Sequence, residues 1–241
     1  MAFKHPRIYL ENLPREGEIV ITGEKYYHLA RSVRARPADE FQLFNGKGLF
    51  ADAKIDSIDS NAISATITHF EELDNTPNVK LTLAFGLLPA EPMKTLIAGA
   101  TQLGVSDLIP FISKFSDIQI PDSKTEKALE RWRKLIIENS AIASRSHLPK
   151  IEPPGKLTDV VKKSIDYNHR FTFWEEGGAG WQKFLPLKNG RAFVVVGPKG
   201  GLSEDEISML KNSGFEILTL GDLILKAEIA AVAACARIIG G

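Results

Sequence analysis

Two segments of the chain combine residue types that could do chemistry at the end of a strand. The first, residues 192–207, reads AFVVVGPKGGLSEDEI. A β-branched run ends in Gly197-Pro198-Lys199-Gly200-Gly201, and Ser203 with Glu206 three residues on forms a capping box that opens a helix. Ligands of parallel α/β sheets sit at the carboxyl ends of strands, where a glycine-rich turn lets backbone groups come close. The same glycines also suit a plain tight turn that needs positive φ, and on this stretch alone both readings stand. The second segment, residues 215–238, reads FEILTLGDLILKAEIAAVAACARI. Its residues 221–225 are unusually apolar for a loop at a sheet edge, and they run into a helix with Glu228 in its first turns. A glycine-rich loop beside an apolar one could sandwich a flat, mostly neutral ligand such as an adenine ring; core packing accounts for the leucines equally well. Neither G-x-x-x-x-G-K-[ST] nor G-x-G-x-x-G is present, which argues against the Walker and Rossmann phosphate cradles.

A third candidate is basic. Lys25, His28, Arg31, Arg34 and Arg36 occur with no acid between Lys25 and Arg36, and residues 23–36 read as one short helix on which His28, Arg31 and Arg34 share a face. Such a face can contact phosphates, and it can equally be an ordinary solvated face. Tyr26 and Tyr27 are placed to stack on bases, with core packing expected for at least one of them. The histidines at positions 5, 28, 69, 147 and 169 show no H-x-x-x-H or cysteine spacing, so no metal is expected. Ser144 and Ser146 flank Arg145 without a recognisable His and carboxylate context, which argues against a serine hydrolase. Trp132, Trp174 and Trp181 are expected in cores or a subunit interface rather than at a ligand.

The elements that must carry these residues change character near residue 75, within the acidic stretch EELDNTPNVK. Before it, short runs such as RIYL, EIVI, EFQLF and NAISATITHF alternate apolar with polar, and Asn45-Gly46 and Ser60-Asn61 punctuate them, which predicts a small, mostly antiparallel β domain. After it, apolar strands alternate with helices expected near residues 93–103, 124–144 and 203–212 and over the final Ala-rich segment, which predicts a parallel α/β sheet.

Composition bounds the possibilities further. The 241 residues are 44% hydrophobic and 25% charged, an ordinary globular balance, and the formal net charge is zero, so a polyanionic partner must be held by a local patch. Cys235 is the single cysteine, which excludes an internal disulfide and fits a reducing, cytoplasmic setting. The start MAFKHPRIYL has no apolar leader region, and the longest apolar run, residues 227–239, is too short to span a bilayer and carries Glu228 and Arg237. No membrane association is expected.

GPKGGLSEDE followed by LGDLILKAEIAAVAA closely resembles the paired signatures GPEGG-[FL]-S-x-x-E and LG-x-R-I-L-R-x-E-T-A of the 16S ribosomal RNA uridine N3-methyltransferases of the RsmE type, members of the SPOUT class. HLARSVRARPADEFQLFNGKG resembles the front motif of that family, and KTLIAGATQLGVSDLIPFISKFS and RWRKLIIENSAIASRSHLPKI resemble its middle segments, so the likeness runs through nearly the whole chain. The resemblance implies an N-terminal PUA-like, small β-barrel RNA-binding domain over residues 1–72 and a C-terminal α/β SPOUT domain with a trefoil knot over residues 77–241. It implies a homodimer, 16S ribosomal RNA or the small ribosomal subunit as partner, and S-adenosylmethionine as cofactor. Backbone groups around Gly197, Gly200, Gly201, Leu220, Gly221 and Leu225 would form the adenine and ribose pocket. Lys226 or Arg145 would stabilise charge on the target base, and Glu228 would orient that cation or take the proton. Four departures bear on these roles. Lys199 stands where the family has Glu, Leu223 where it has Arg, Lys226 for a second Arg, and Ile142 for a Gln.

Overall fold

The structure is a computed structural model and describes residues 6–183 and 187–239; His5 lies outside the described residues. The chain divides into two compact units, residues 1–76 with 140–148, and residues 77–139 with 149–241. Residues 140–148, which a linear reading places in the second domain, therefore belong to the first unit.

The first unit contains β1 (Arg7–Tyr9), β2 (Glu18–Thr22), α1 (Gly23–Tyr27), β3 (Glu40–Phe44), β4 (Leu49–Ile58) and β5 (Ala62–Glu72). Its five strands form one sheet in the order β1-β3-β4-β5-β2, antiparallel except for the β1–β3 pair. Alternation explains the core: Ile19 and Ile21 of β2 point inward while their neighbours are exposed, and they join Ile8, Phe41, Leu43, Ile55 and Ile63. Tyr26 and Leu29 add to this cluster from the helical segment. The Asn45-Gly46 turn is fixed by the Asn45 side-chain oxygen, which accepts from the Lys47 and Leu49 amides at 2.8 and 3.1 Å.

The second unit contains β6 (Val79–Gly86), α2 (Ala90–Leu103), β7 (Asp107–Ile112), α3 (Asp122–Ala143, its last turn counted with the first unit), β8 (Lys150–Ile151), β9 (Gly155–Lys156), α4 (Leu157–Lys162), β10 (His169–Phe173), β11 (Ala179–Gly180), β12 (Gly190–Val196), α5 (Glu204–Asn212), β13 (Glu216–Thr219) and α6 (Ala227–Ile239). All its strands are parallel, in the order β11-β13-β10-β12-β6-β7-β8, with β9 also on β7. The unbroken apolar run of β12 is explained by its central place, with Ala192 to Val195 fully buried. Phe193 and Val195 pack with Val160 of α4 and with Ile207 and Leu210 of α5. Helix α6 lies on α2, β6 and β12, so close that a side chain at Gly99 would meet Val232 at 2.6 Å. The chain leaves β6 toward β7 on one side, whereas it leaves β12 toward β13 on the other. The β12–β6 junction is therefore a topological switch point, and its crevice opens at the carboxyl ends of these strands.

Candidate functional site: a cleft at the switch point

The turn after β12 is folded tightly upon itself. Gly201, at φ +75°, donates its amide to the Pro198 carbonyl at 2.9 Å, and a side chain on Gly197 would lie 2.9 Å from the Gly201 backbone. The turn also presses on the neighbouring strand, because a Cβ on Gly86 would sit 2.3 Å from the Pro198 nitrogen. Close approach of backbone, rather than loop freedom, is what these glycines provide. Helix α5 then starts with the capping box the sequence announces: Ser203 Oγ accepts from the Glu206 amide, and the Glu206 carboxylate accepts from the Ser203 amide. The other Glu206 oxygen accepts from the Lys114 amide at 2.9 Å. A carboxylate so placed puts negative charge at the positive end of α5, which disfavours a phosphate there.

The segment after β13 supplies the facing wall. Thr219 Oγ1 bonds the Gly221 amide and carbonyl, and Gly221 adopts φ +131°; the chain then runs exposed through Leu223 and Ile224 before the Lys226 carbonyl accepts the first amides of α6. Gly197, Gly201, Leu220, Gly221 and Leu225 of the expected pocket all line one cleft. Gly200 does not; it backs onto Phe115, whose Cβ a side chain there would meet at 3.0 Å.

Two further lining residues, Trp174 and Glu175, come from the loop after β10. Trp174 was expected in a core or interface, and Glu175 carried no expectation. The signal existed, since RFTFW is a strand of the same parallel kind as β12 and its carboxyl end must face the same way. Its loop lacks an early glycine, and nothing local reveals that β10 lies between β12 and β13.

Beside the cleft lies a cavity of about 530 Å³ lined by Leu88, Pro89, Pro92, Lys199, Lys226 and Glu228, within the range of small-ligand pockets. Lys199, Ile224, Leu225 and Ala227 border both spaces, so the two adjoin. An apolar floor with two ammonium groups and one carboxylate can hold a flat polar ring and favour negative charge that develops on it. Arg145 is instead a residue of the first unit, 7% exposed, where burial lowers its pKa to about 10.

The basic segment departs from the expected single helix. After α1, residues His28–Val33 form a π-helical turn, and Arg34 ends it in the left-handed region at φ 58°. In a turn closed by i→i+5 bonds, residues three apart no longer stand above one another, so His28, Arg31 and Arg34 do not share an α-helical face. His28, Arg31, Arg34 and Arg36 are nevertheless all exposed, and Lys25 is half-buried. Tyr26 is core, with its hydroxyl donating to the Asp59 carbonyl at 3.0 Å, whereas Tyr27 is 59% exposed. Among the described residues no group of three or more His, Cys, Asp or Glu side chains converges as a metal site would require, and no helix is long and apolar enough to cross a membrane.

The sequence profile of the RNA methyltransferase domain matches residues 75–239, and that of the RNA methyltransferase PUA domain matches residues 21–68. The chain belongs to the RNA methyltransferase domain family. Among its relatives, the ribosomal RNA small subunit methyltransferase E of Rickettsia conorii is 28% identical over 98% of this chain and 95% of its own. The crystal structure of the corresponding Neisseria gonorrhoeae enzyme, bound to S-adenosylmethionine, superposes with a TM-score of 0.86 at 26% identity, covering 96% of this chain and 95% of that one. A Legionella pneumophila protein solved with the same cofactor shares the fold at a TM-score of 0.90 and 23% identity, covering 97% of this chain and 96% of that one. The cleft at the switch point lies wholly within the stretch matched by the RNA methyltransferase profile.

Proposed function

We propose that this chain transfers a methyl group from S-adenosylmethionine to N3 of a uridine in 16S ribosomal RNA. The observation that carries the reading is that the glycine-turn cleft adjoins the cavity lined by Lys226 and Glu228. The cleft suits the adenosine: apolar side chains of Leu220 and Leu225 offer faces for a ring, and the turn at Gly197 and Gly201 offers close backbone. When bound, the cofactor supplies an activated sulfonium methyl, so neither a metal nor a covalent enzyme intermediate is required. The protein must then hold the uracil ring in line and manage the N3 proton. Leu88, Pro89 and Pro92 form the floor for the ring, the Lys226 ammonium stabilises the negative charge that spreads over the uracil oxygens as N3 loses its proton, and Glu228 holds Lys226 in place or accepts that proton. Arg145, a residue of the first unit, is the alternative cation for this role.

Lys25, His28, Arg31, Arg34 and Arg36 of the first unit contact RNA phosphates in this scheme, with the exposed Tyr27 beside them. A homodimer accounts for Leu223, Ile224 and Ile229, which are 82, 86 and 45% exposed in the single chain. The trefoil knot and a cytoplasmic setting belong to the same reading; the passage of the chain from β13, beyond β10, to α6 on β6 and β12 supports the knot. Incubation of the purified chain with small ribosomal subunits and S-adenosylmethionine, followed by mass spectrometry of the digested RNA, is expected to yield 3-methyluridine. RNA binding without any methylated nucleoside would instead mark a non-catalytic RNA-binding or assembly factor. A different methylated base would mark another RNA methyltransferase.

A further inference from the structure

We infer that Glu175 recognises the ribose hydroxyls of the adenosine in the cleft, so that the loop after β10 makes the site selective for a ribonucleoside. This rests on the S-adenosylmethionine reading above. Glu175 lines the cleft together with the glycine turn and the segment after β13. Its loop is pinned on both sides: the Trp174 amide donates to the Leu218 carbonyl at 2.9 Å, and Gly178, at φ +123°, passes so close that a Cβ would meet the Ile217 carbonyl oxygen at 2.7 Å. The carboxylate itself reaches across to the glycine turn, where Glu175 Oε1 lies 2.5 Å from the point a Gly201 side chain would occupy. The absent side chain of Gly201 is what gives the carboxylate its space.

An ionised carboxylate only accepts hydrogen bonds, so its partner in the ligand must donate. A ribose offers two hydroxyls on adjacent carbons, matched to the two oxygens of one carboxylate, and acidic side chains read ribose in this manner in dinucleotide sites. The other donors on a nucleoside–amino acid conjugate are its ammonium group and the adenine N6 amino group, and ligand choice separates all three. S-adenosylhomocysteine carries them all, 5′-methylthioadenosine lacks the ammonium, and 2′-deoxy-5′-methylthioadenosine lacks the ammonium and one ribose hydroxyl.

Calorimetry on the full chain decides the matter. Glu175→Ala is expected to weaken S-adenosylhomocysteine and 5′-methylthioadenosine by the same factor, about tenfold or more, as for a lost hydrogen bond to a charged group, and to cost the 2′-deoxy ligand less. Glu175→Gln, which retains one acceptor oxygen, should lose less, and Glu176→Gln should match the wild type. Because Glu175 is exposed, its variants should melt with the wild type. Weakening of S-adenosylhomocysteine alone would assign Glu175 to the ammonium, and an equal loss for the 2′-deoxy ligand would assign it to the adenine amino group; either would overturn the inference, as would unchanged affinity for all three ligands. Failure of the wild-type chain to bind any of the ligands would overturn the transferase reading and this inference with it.

Discussion

Replacing Gly86 by alanine tests whether β6 sets the position of the glycine turn. The added Cβ would lie 2.3 Å from the Pro198 nitrogen and 2.5 and 2.6 Å from the proline ring carbons, where ordinary contact begins at 3.4 Å. The two segments must therefore separate by about 1 Å, a distance well above the tolerance of a packed interior. Neither obstacle can rotate aside, because one is backbone and the other a closed ring. Strand β6 cannot yield easily either, since Phe85 pairs with Val196 and Gly86 with Phe111 on its two sides. The displaced part is thus the turn at residues 197–201. Overpacking of this kind costs about 2–3 kcal/mol, which corresponds to roughly 4–12 °C in Tm for a unit of this size. A 1 Å displacement of the cleft wall should also weaken S-adenosylhomocysteine by about tenfold or more. Thermal melting and calorimetry measure both. Gly155→Ala is the matched control, because its Cβ would meet only Val160, at 3.9 Å, and its backbone is not left-handed. Its effect should stay within about 0.5 kcal/mol. If Gly86→Ala melts and binds like the wild type, the turn is not held against β6, and the account of why glycine stands there fails.

Three other outcomes follow from the same geometry. Lys226→Ala should lower kcat by about 10²-fold, the effect of removing one group that stabilises developing charge, while S-adenosylhomocysteine affinity changes little; equal losses in both would contradict its assignment to the base. Joint replacement of Arg31 and Arg34 by Glu should weaken RNA binding and flatten its dependence on salt without altering cofactor affinity, as a filter-binding titration over several salt concentrations would report. Burial pushes the Cys235 thiol from 9.0 up to about 12, so the folded state keeps its proton where the unfolded state loses it. The stability this group contributes is therefore complete below pH 9 and falls as pH rises toward 12. At pH 8 a thiol reagent should label Cys235 only at the rate at which the chain opens; rapid labelling of native protein would show that α6 is not packed as described.

What the sequence disclosed and what it withheld divide along the range of the interactions. The capping box of Ser203 and Glu206 and the buried run of β12 are local patterns, and both stand where they were read. The assignment of residues 140–148 to the first unit depends on contacts remote in sequence. Asn75 donates to the Ser144 carbonyl at 2.7 Å and accepts from the Ser146 hydroxyl at 2.8 Å, and the Leu148 amide donates to the Gly46 carbonyl at 3.0 Å. No periodicity encodes such pairs. The π-turn at His28–Val33 is similarly silent, because HLARSV is compatible with an α-helix and only the bond from the Arg34 amide to the Leu29 carbonyl, five residues back, reveals the wider turn. Glu175 was missed for a topological reason: its relevance appears only once β10 is known to lie between β12 and β13.

The departures from the family motifs gain meaning from their positions. Lys199 and Lys226 both border the cavity beside the cleft, whereas Leu223 stands exposed next to it. A guanidinium at position 223 would bring a planar fork that fixes the orientation of a base or phosphate as well as its charge; ammonium groups on flexible stems bring charge with little orientation. In the proposed reaction, charge stabilisation then survives the change from Arg to Lys and Leu, and orientation must come from elsewhere. The candidates on hand are the apolar floor of Leu88, Pro89 and Pro92 and the cleft that adjoins the cavity. An exposed leucine also has a cost that an arginine would not, since its apolar surface faces water together with that of Ile224. In the proposed dimer, the same change that removes a guanidinium enlarges an apolar patch at this edge, which suits coverage by a second copy better than contact with nucleic acid.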